Sequence, residues 1–303
     1  MATYDTAGTG DDAINDIRAW ILSADPTGDR IARVFRATFD QLYDGQHTGR
    51  YALEHLYKTE KTHFGTLIEI NLQREFEFPS GDILDYRIAG HEVDCKFSHS
   101  GAWMLPQESF DKVVLTTQAD DYTSVWSVGL VRVTDKNRRV GLNQDRKSGL
   151  SAYGRAQITW LYKDKPMPPN VLLSLDDATV DRVMSQRSGQ ARINELFRSA
   201  TDLRISRNVV ATVAQQEDYM KRVRGNGGAR SHLQPEGILI LSGDYVRQRE
   251  TATLLGTVEP QPGEFVSVRV RRSFSPLGAL IDGDMWVRCS DDEQPQDPSP
   301  LVI

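Results

Sequence analysis

The sequence predicts an α/β chain, more narrowly α+β, in two parts: a mixed sheet flanked by helices, then a smaller helical part with a wing-like strand. Three observations predict it. Residues 84–98 alternate apolar and polar side chains on either side of Ala89-Gly90, the period of a half-buried hairpin. Segments at about 12–23, 28–43 and 61–76 repeat apolar residues at helical spacing ahead of it. Lys163-Asp-Lys-Pro-Met-Pro-Pro-Asn170 then breaks the pattern; its three prolines resist helix and strand ladders. The boundaries expected from this are a frayed 1–11, a first domain over 12–162, a linker at 163–170, a second domain over 171–289 and a disordered acidic, proline-rich tail over 290–303.

In order, Ile14, Ile17 and Ile21 mark the first helix. Ile31, Val34, Phe35, Phe39 and Leu42 make a stripe on the second, with Gly45 expected as its cap. Phe64, Leu67, Ile68, Leu72 and Phe76 line the third, placing Glu69 beside Ile68 and Leu72, so that its carboxylate is expected to look toward the sheet. After the hairpin come apolar strands near 112–118 and 122–134, a basic loop from Lys136 to Lys147, and a helix at about 151–162.

The hairpin carries chemistry. With a two-residue loop at Ala89-Gly90, Asp85 lies across from Asp94; with a loop one residue later, it lies across from Lys96. Asp94 and Lys96 share a polar face, while Val93, Cys95 and Phe97 face the core. Two carboxylates held together call for a cation, and a hard divalent ion such as Mg²⁺ suits oxygen ligands. A lysine beside it suits a phosphate oxygen or an attacking water. This Asp-x(n)-Asp/Glu-x-Lys arrangement is that of metal-dependent phosphodiesterases, although surface ion pairs would produce the same pattern.

Longer strings are more specific. Asp40-Gln-Leu-Tyr-Asp-Gly-Gln46, Lys58-Thr-Glu-Lys-Thr-His63, Glu69-Ile-Asn-Leu72, Asp94-Cys-Lys-Phe97 and Gly101-Ala-Trp-Met-Leu-Pro106 occur in order. Gly189-Gln-Ala-Arg192, Asn194-Glu-Leu-Phe-Arg198, Ala211-Thr-Val-Ala-Gln-Gln216, Met220-Lys-Arg-Val-Arg-Gly225 and Gly227-Gly-Ala-Arg230 follow. Together they resemble the NaeI family of type II restriction endonucleases, from about residue 28 to about 242. The resemblance implies a restriction-endonuclease-like first domain whose active site is Glu69, Asp85, Asp94 and Lys96. Mg²⁺ would be held by Glu69, Asp85, Asp94 and the backbone carbonyl of Cys95. It further implies a homodimer cutting both strands of double-stranded DNA at a GCCGGC-like palindrome, a second effector DNA site in the C-terminal domain, and a cognate DNA methyltransferase in the same system. Leu42-Tyr43-Asp44-Gly45 looks like the Lys-x-Asp-Gly motif of DNA ligases with leucine in place of the nucleophile, which excludes adenylation; Leu42 is read as core.

Charge is uneven. The chain has a net charge of −6, yet Arg187–Arg230 holds nine Lys/Arg against four Asp/Glu. Two helices, around Ile193–Phe197 and Val209–Val213, are expected there, and a third carrying Gln215, Gln216, Tyr219, Lys221 and Arg222. Gly237-Ile-Leu-Ile-Leu-Ser242 would be the wing strand. A helix-turn-helix or winged-helix module is the functional reading and a solvated basic helix the plain one; the resemblance to a DNA-binding domain favours the former. The candidate DNA contacts are Gln190, Arg192, Asn194, Gln215, Gln216, Lys221, Arg222, Arg224 and Arg230. Only two cysteines, no signal-peptide run and no 18-residue apolar stretch lead us to expect a cytoplasmic protein with no membrane contact. A non-cleaving DNA-binding regulator, or a nicking or repair nuclease with the same site, are the rival readings.

Overall fold

The computed structural model describes residues 10–274, 277–290, 293, 295 and 297–301. Its chain divides into two compact units, one of residues 1–42 and 56–169, the other of 43–55 and 170–303.

The first unit opens with α1 (Asp12–Ala24) and α2 (Asp29–Tyr43). A short helix α3 (Gly45–Thr48) belongs to the second unit. The long α4 (Lys58–Phe76) follows, then β1 (Tyr86–Ile88), β2 (His91–Phe97), β3 (Met104–Leu105), β4 (Val113–Asp120), β5 (Val125–Arg132), β6 (Ser148–Gly149), α5 (Ala152–Ala156) and β7 (Thr159–Pro166). Five of these strands form one sheet, β1-β2-β4-β5-β7, in which only β2 and β4 run parallel. The helical stripes do what their spacing requires. Ile14, Ile17 and Ile21 of α1 are buried, Phe35 of α2 packs on Trp126 of β5 at 5.6 Å, and Phe64 of α4 packs on Phe97 of β2 at 4.6 Å.

Several expectations change. The helix expected to 162 stops at Ala156, and Thr159–Pro166 is a strand on β5. Thr159-Trp160-Leu161-Tyr162 is β-prone, and burial of Leu161 and Tyr162 decides against helix. The expected linker is therefore strand as far as Pro166, which an edge position tolerates. Of the expected frayed N-terminus, residues 1–9 lie outside the described residues. Asp11 is ordered, capping Ile14 N and pairing with Arg132.

The second unit contains α6 (Val171–Ser174), α7 (Asp177–Met184), α8 (Gly189–Ser199), β8 (Ile205–Ser206), α9 (Arg207–Ala214), α10 (Ala229–Leu233), β9 (Ile238–Ser242), α11 (Val246–Leu254), β10 (Glu264–Ser273), β11 (Ala279–Ile281) and β12 (Asp284–Arg288). β10 is its hub, pairing with β8, β9 and β12. Ile193, Leu196 and Phe197 of α8 and Val209, Val210 and Val213 of α9 share a core with Ile240 and Phe265. The third helix does not form as expected. Gln215 ends α9 in the left-handed region at φ 52°, and Tyr219–Val223 makes only a 3₁₀ turn before the glycine loop.

The segment 43–55 packs into this unit rather than the first. Gly45 does not cap α2; it starts α3 against α9, where a Cβ would stand 2.1 Å from Thr212 Oγ1. Leu42 is buried, as its place in the stripe requires. The tail is partly ordered too. Ser299 is buried, its N–H donating to Gln234 O and its hydroxyl to Ile238 O. Residues 291, 292, 294, 296, 302 and 303 lie outside the described residues. Among the described residues no helix is long and apolar enough to cross a membrane, and both cysteines are free and buried.

Candidate active site

The hairpin closes on the two-residue loop. Ile88 pairs with His91 and Tyr86 with Val93, so one step further Asp85 faces Asp94. Ala89 and Gly90 both take positive φ, 50° and 84°, the pair of left-handed residues such a tight turn needs. α4 lies against β2, and the Tyr86 hydroxyl donates to Glu69 O at 2.7 Å, which fixes the turn of α4 that carries Glu69.

These elements bring Glu69, Asp85, Asp94 and Lys96 together. Lys96 Nζ donates to Asp94 Oδ1 at 2.5 Å, to Cys95 O at 2.9 Å and to Asp85 Oδ2 at 3.4 Å. Cys95 N donates to Asp85 Oδ2 at 2.7 Å. Asp94 is 3% exposed, and its Oδ2 accepts no hydrogen bond among the described residues. Burial pushes the Asp94 carboxyl up to about 7, with Lys96 opposing and Asp85 adding to the rise. Glu69 is raised as well, by burial first and then by the Asp85 charge. Burial alone would lower Lys96, but its attraction and hydrogen bond to Asp94, with Asp85 behind, hold it above its ordinary value. Lys96 is thus an ammonium at neutral pH, a donor and a charge rather than a base.

The raised Asp94 has a pH signature. From the ordinary carboxylate range up to about 7 the folded protein keeps a proton that the unfolded chain releases. The group's contribution to stability is therefore largest in acid and is lost as pH rises through that window. Asp94→Asn is expected to raise the melting temperature of the metal-free protein by a few degrees at pH 8 and to change it little at pH 5. Equal shifts at both pH values would show that Asp94 carries no such burden.

Sequence reasoning missed the residue that sets the approach to Asp85. Glu92 accepts from Asp82 N at 2.5 Å, Ile83 N at 3.1 Å and Leu84 N at 3.0 Å, pinning the loop that delivers Asp85. Those backbone donors hold its carboxyl below the usual range. Its place across the hairpin from Arg87 was the available signal.

Among the described residues no three His, Cys, Asp or Glu side chains form a ready-made metal cage; Lys96 Nζ stands between Asp85 and Asp94 instead. The donor set nevertheless suits a hard cation. It consists of oxygens, one of them the orphaned buried Asp94 Oδ2, and the Cys95 carbonyl is turned to the same point as the carboxylates.

In the second unit the candidate DNA residues separate. Arg192 is committed to the protein, donating to Val213 O at 2.6 Å and Ala214 O at 2.9 Å at the end of α9. Gln190 bridges Asn194 Oδ1 and Arg222 O, Asn194 meets His232, and Gln216 accepts from Arg222 Nε. Gln215 lies against Gly49. Lys221 is exposed and paired with Asp218 at 2.7 Å. Arg224 is exposed, and Arg230 donates to Gln248 Oε1 at 3.1 Å.

A helix-flanked mixed sheet with an acidic pair and a lysine on its hairpin edge fits the restriction-endonuclease class of fold. The family model for restriction endonuclease NaeI matches residues 15–297. The chain is also 50% identical over 268 residues to the type II restriction enzyme NaeI of Lentzea aerocolonigenes, covering 86% of this chain and 84% of that protein. This chain belongs to the NaeI restriction endonuclease family and is a site-specific endonuclease.

Proposed function

We propose that the chain is a Mg²⁺-dependent type II restriction endonuclease whose active site is Glu69, Asp85, Asp94 and Lys96. The observation that carries this reading is the convergence of Asp85, Asp94 and Lys96 Nζ on one point of the hairpin. Asp85, Asp94 and the Cys95 carbonyl would hold the ion, with Glu69 assisting directly or through water. Bound there, Mg²⁺ supplies Lewis acidity toward the scissile phosphate and lowers the pKa of a water. Lys96, kept cationic by Asp94 and Asp85, would exchange its carboxylate partners for the phosphate or the attacking water as negative charge builds on the phosphoryl oxygens. Cys95 N keeps Asp85 oriented throughout.

Cutting both strands of a palindrome needs two such sites, hence a homodimer. The family likeness supports a GCCGGC-like target, a second effector DNA site, a cognate methyltransferase protecting the host's copies of the target, and a cytoplasmic setting. For the second unit a winged-helix reading is supported by β8 and β9 flanking β10, with α8 and α9 packed beneath.

Incubation with unmethylated plasmid, with end mapping, tests this. Double-strand cuts at one palindrome are expected with Mg²⁺ or Mn²⁺. Ca²⁺ is expected to support binding without turnover, since its longer, looser coordination holds the phosphate less productively. Robust cleavage in excess chelator overturns the metal mechanism. Binding without any cleavage would indicate a regulator, and single-strand breaks a nicking enzyme.

A further inference from the structure

β9 and β10 are paired neighbours, yet the chain between them carries α11 (Val246–Leu254). The residue before this helix, Tyr245, gives it no side-chain cap; its carbonyl accepts from Gln248 N and Arg249 N, which leaves the Val246 and Arg247 N–H groups at the helix start without an acceptor among the described residues. Gln248 sits in that first turn and is 1% exposed. Its Oε1 is fully engaged, accepting from Ser242 N at 2.7 Å and from Arg230 Nη2 at 3.1 Å. Its Nε2 is buried and donates to no acceptor among the described residues. A buried amide whose acceptor is fixed and whose donor is unused, at the uncapped start of a helix, is short of one acceptor, preferably an anionic one.

The surroundings say which anion. A depression of about 200 Å³ is bounded by Arg207, Arg224 and Arg230, with Met220, Val223 and Phe265 beneath. It shares Asp244 and Tyr245 with a groove of about 920 Å³ that runs along α11 past Arg247 and Gln248. Tyr245, which precedes α11, thus borders both the depression beside Arg224 and Arg230 and the groove along α11. Asp244 is already engaged, accepting from Arg207 Nη2 at 2.6 Å and Gly263 N at 2.9 Å. Glu250 and Asp282 also line the groove, and their carboxylates disfavour an anion beside them.

We propose that the first turn of α11 is a DNA-phosphate contact of the second unit. Gln248 Nε2, the Val246 and Arg247 N–H groups and the exposed Arg247 side chain would take one backbone phosphate, beside a second that Arg224 and Arg230 would hold. This rests on the reading of the second unit as a DNA-binding domain.

The test is binding of a duplex carrying GCCGGC to the full-length protein, in chelator, over a salt series. Arg247→Ala should weaken binding several-fold and make the slope of log K against log salt shallower by about 0.9. Gln248→Glu keeps the acceptor toward Ser242 N and Arg230 but replaces the donor by negative charge, and should weaken binding more than tenfold with the melting temperature unchanged. If Gln248→Glu unfolds the unit, Arg247→Ala alone decides. The joint Lys221→Ala, Arg222→Ala, Arg224→Ala change serves as the reference. If it weakens binding while Arg247→Ala leaves affinity and slope unaltered, the α11 contact is overturned and the DNA-binding domain stands. If neither change has an effect, both readings fall.

Discussion

Asp94→Ala or Lys96→Ala is expected to abolish DNA cleavage, a loss of about 10³-fold or more if each removes a preorganised charge from the transition state. Binding of the same DNA, measured by gel shift without metal, should stay within a few-fold. Asp94→Ala should bind as well as the parent or better, because it removes a buried carboxylate that would face phosphate. The two changes act on one cluster, since Lys96 Nζ and Asp94 Oδ1 are 2.5 Å apart. Combining them should therefore cost little more than either alone. Glu92→Ala is a gentler test of the same geometry. It releases the loop 82–84 without touching the reacting groups, so its activity should fall while Mg²⁺ dependence is kept. Full cleavage by Asp94→Ala would remove the site assignment.

The reason this cluster could be read in the sequence is that it is local. Asp85, Asp94 and Lys96 lie within a dozen residues, and a period-2 pattern around Ala89-Gly90 leaves only two registers. The structure takes the one in which both turn residues have positive φ. Glu69 was harder, being on another element, but its neighbours Ile68 and Leu72 fixed the face of α4 on which it lies. What local patterns could not show was any choice made by tertiary contacts. Residues 159–162 read as the end of a helix and 163–166 as a linker until β5 supplies a strand partner. Arg192 looks like a DNA-reading cation until the carbonyls of Val213 and Ala214 claim it. Gln248 carried no signal at all, because its role depends on Ser242 and Arg230 folding around it.

The segment 43–55 is the largest such case, and it changes what an isolated C-terminal fragment should do. Residues 170–303 carry their own strands and most of the clustered cations, which from sequence alone suggests an independent domain. In the fold, α3 packs on α9 so closely that Gly45 leaves no room for a Cβ beside Thr212. Tyr51 packs on the core around Phe197 and Val210, and Asn170 Nδ2 donates to Tyr51 O at 2.9 Å. Removing 43–55 uncovers that apolar surface and leaves the Asn170 amide without its acceptor. Losing the Tyr51 ring and its neighbours should cost roughly 2–4 kcal/mol, a large share of what holds a domain of this size. A fragment of 170–303 is therefore expected to melt far below the intact protein, expose apolar surface to dye and bind duplex DNA poorly. Joining 43–55 to residue 170 through a short Gly/Ser linker should restore a cooperative transition and DNA binding, since Tyr51 and Asn170 already touch. Neither fragment should cut, because Glu69, Asp85, Asp94 and Lys96 are all absent from them. In the full-length chain, Gly45→Val should destabilise the second unit by about 1–3 kcal/mol through the clash with Thr212. If 170–303 alone melts cooperatively at the temperature of the joined fragment, then 43–55 is only a passing strap and the packing of α3 on α9 contributes nothing to the unit.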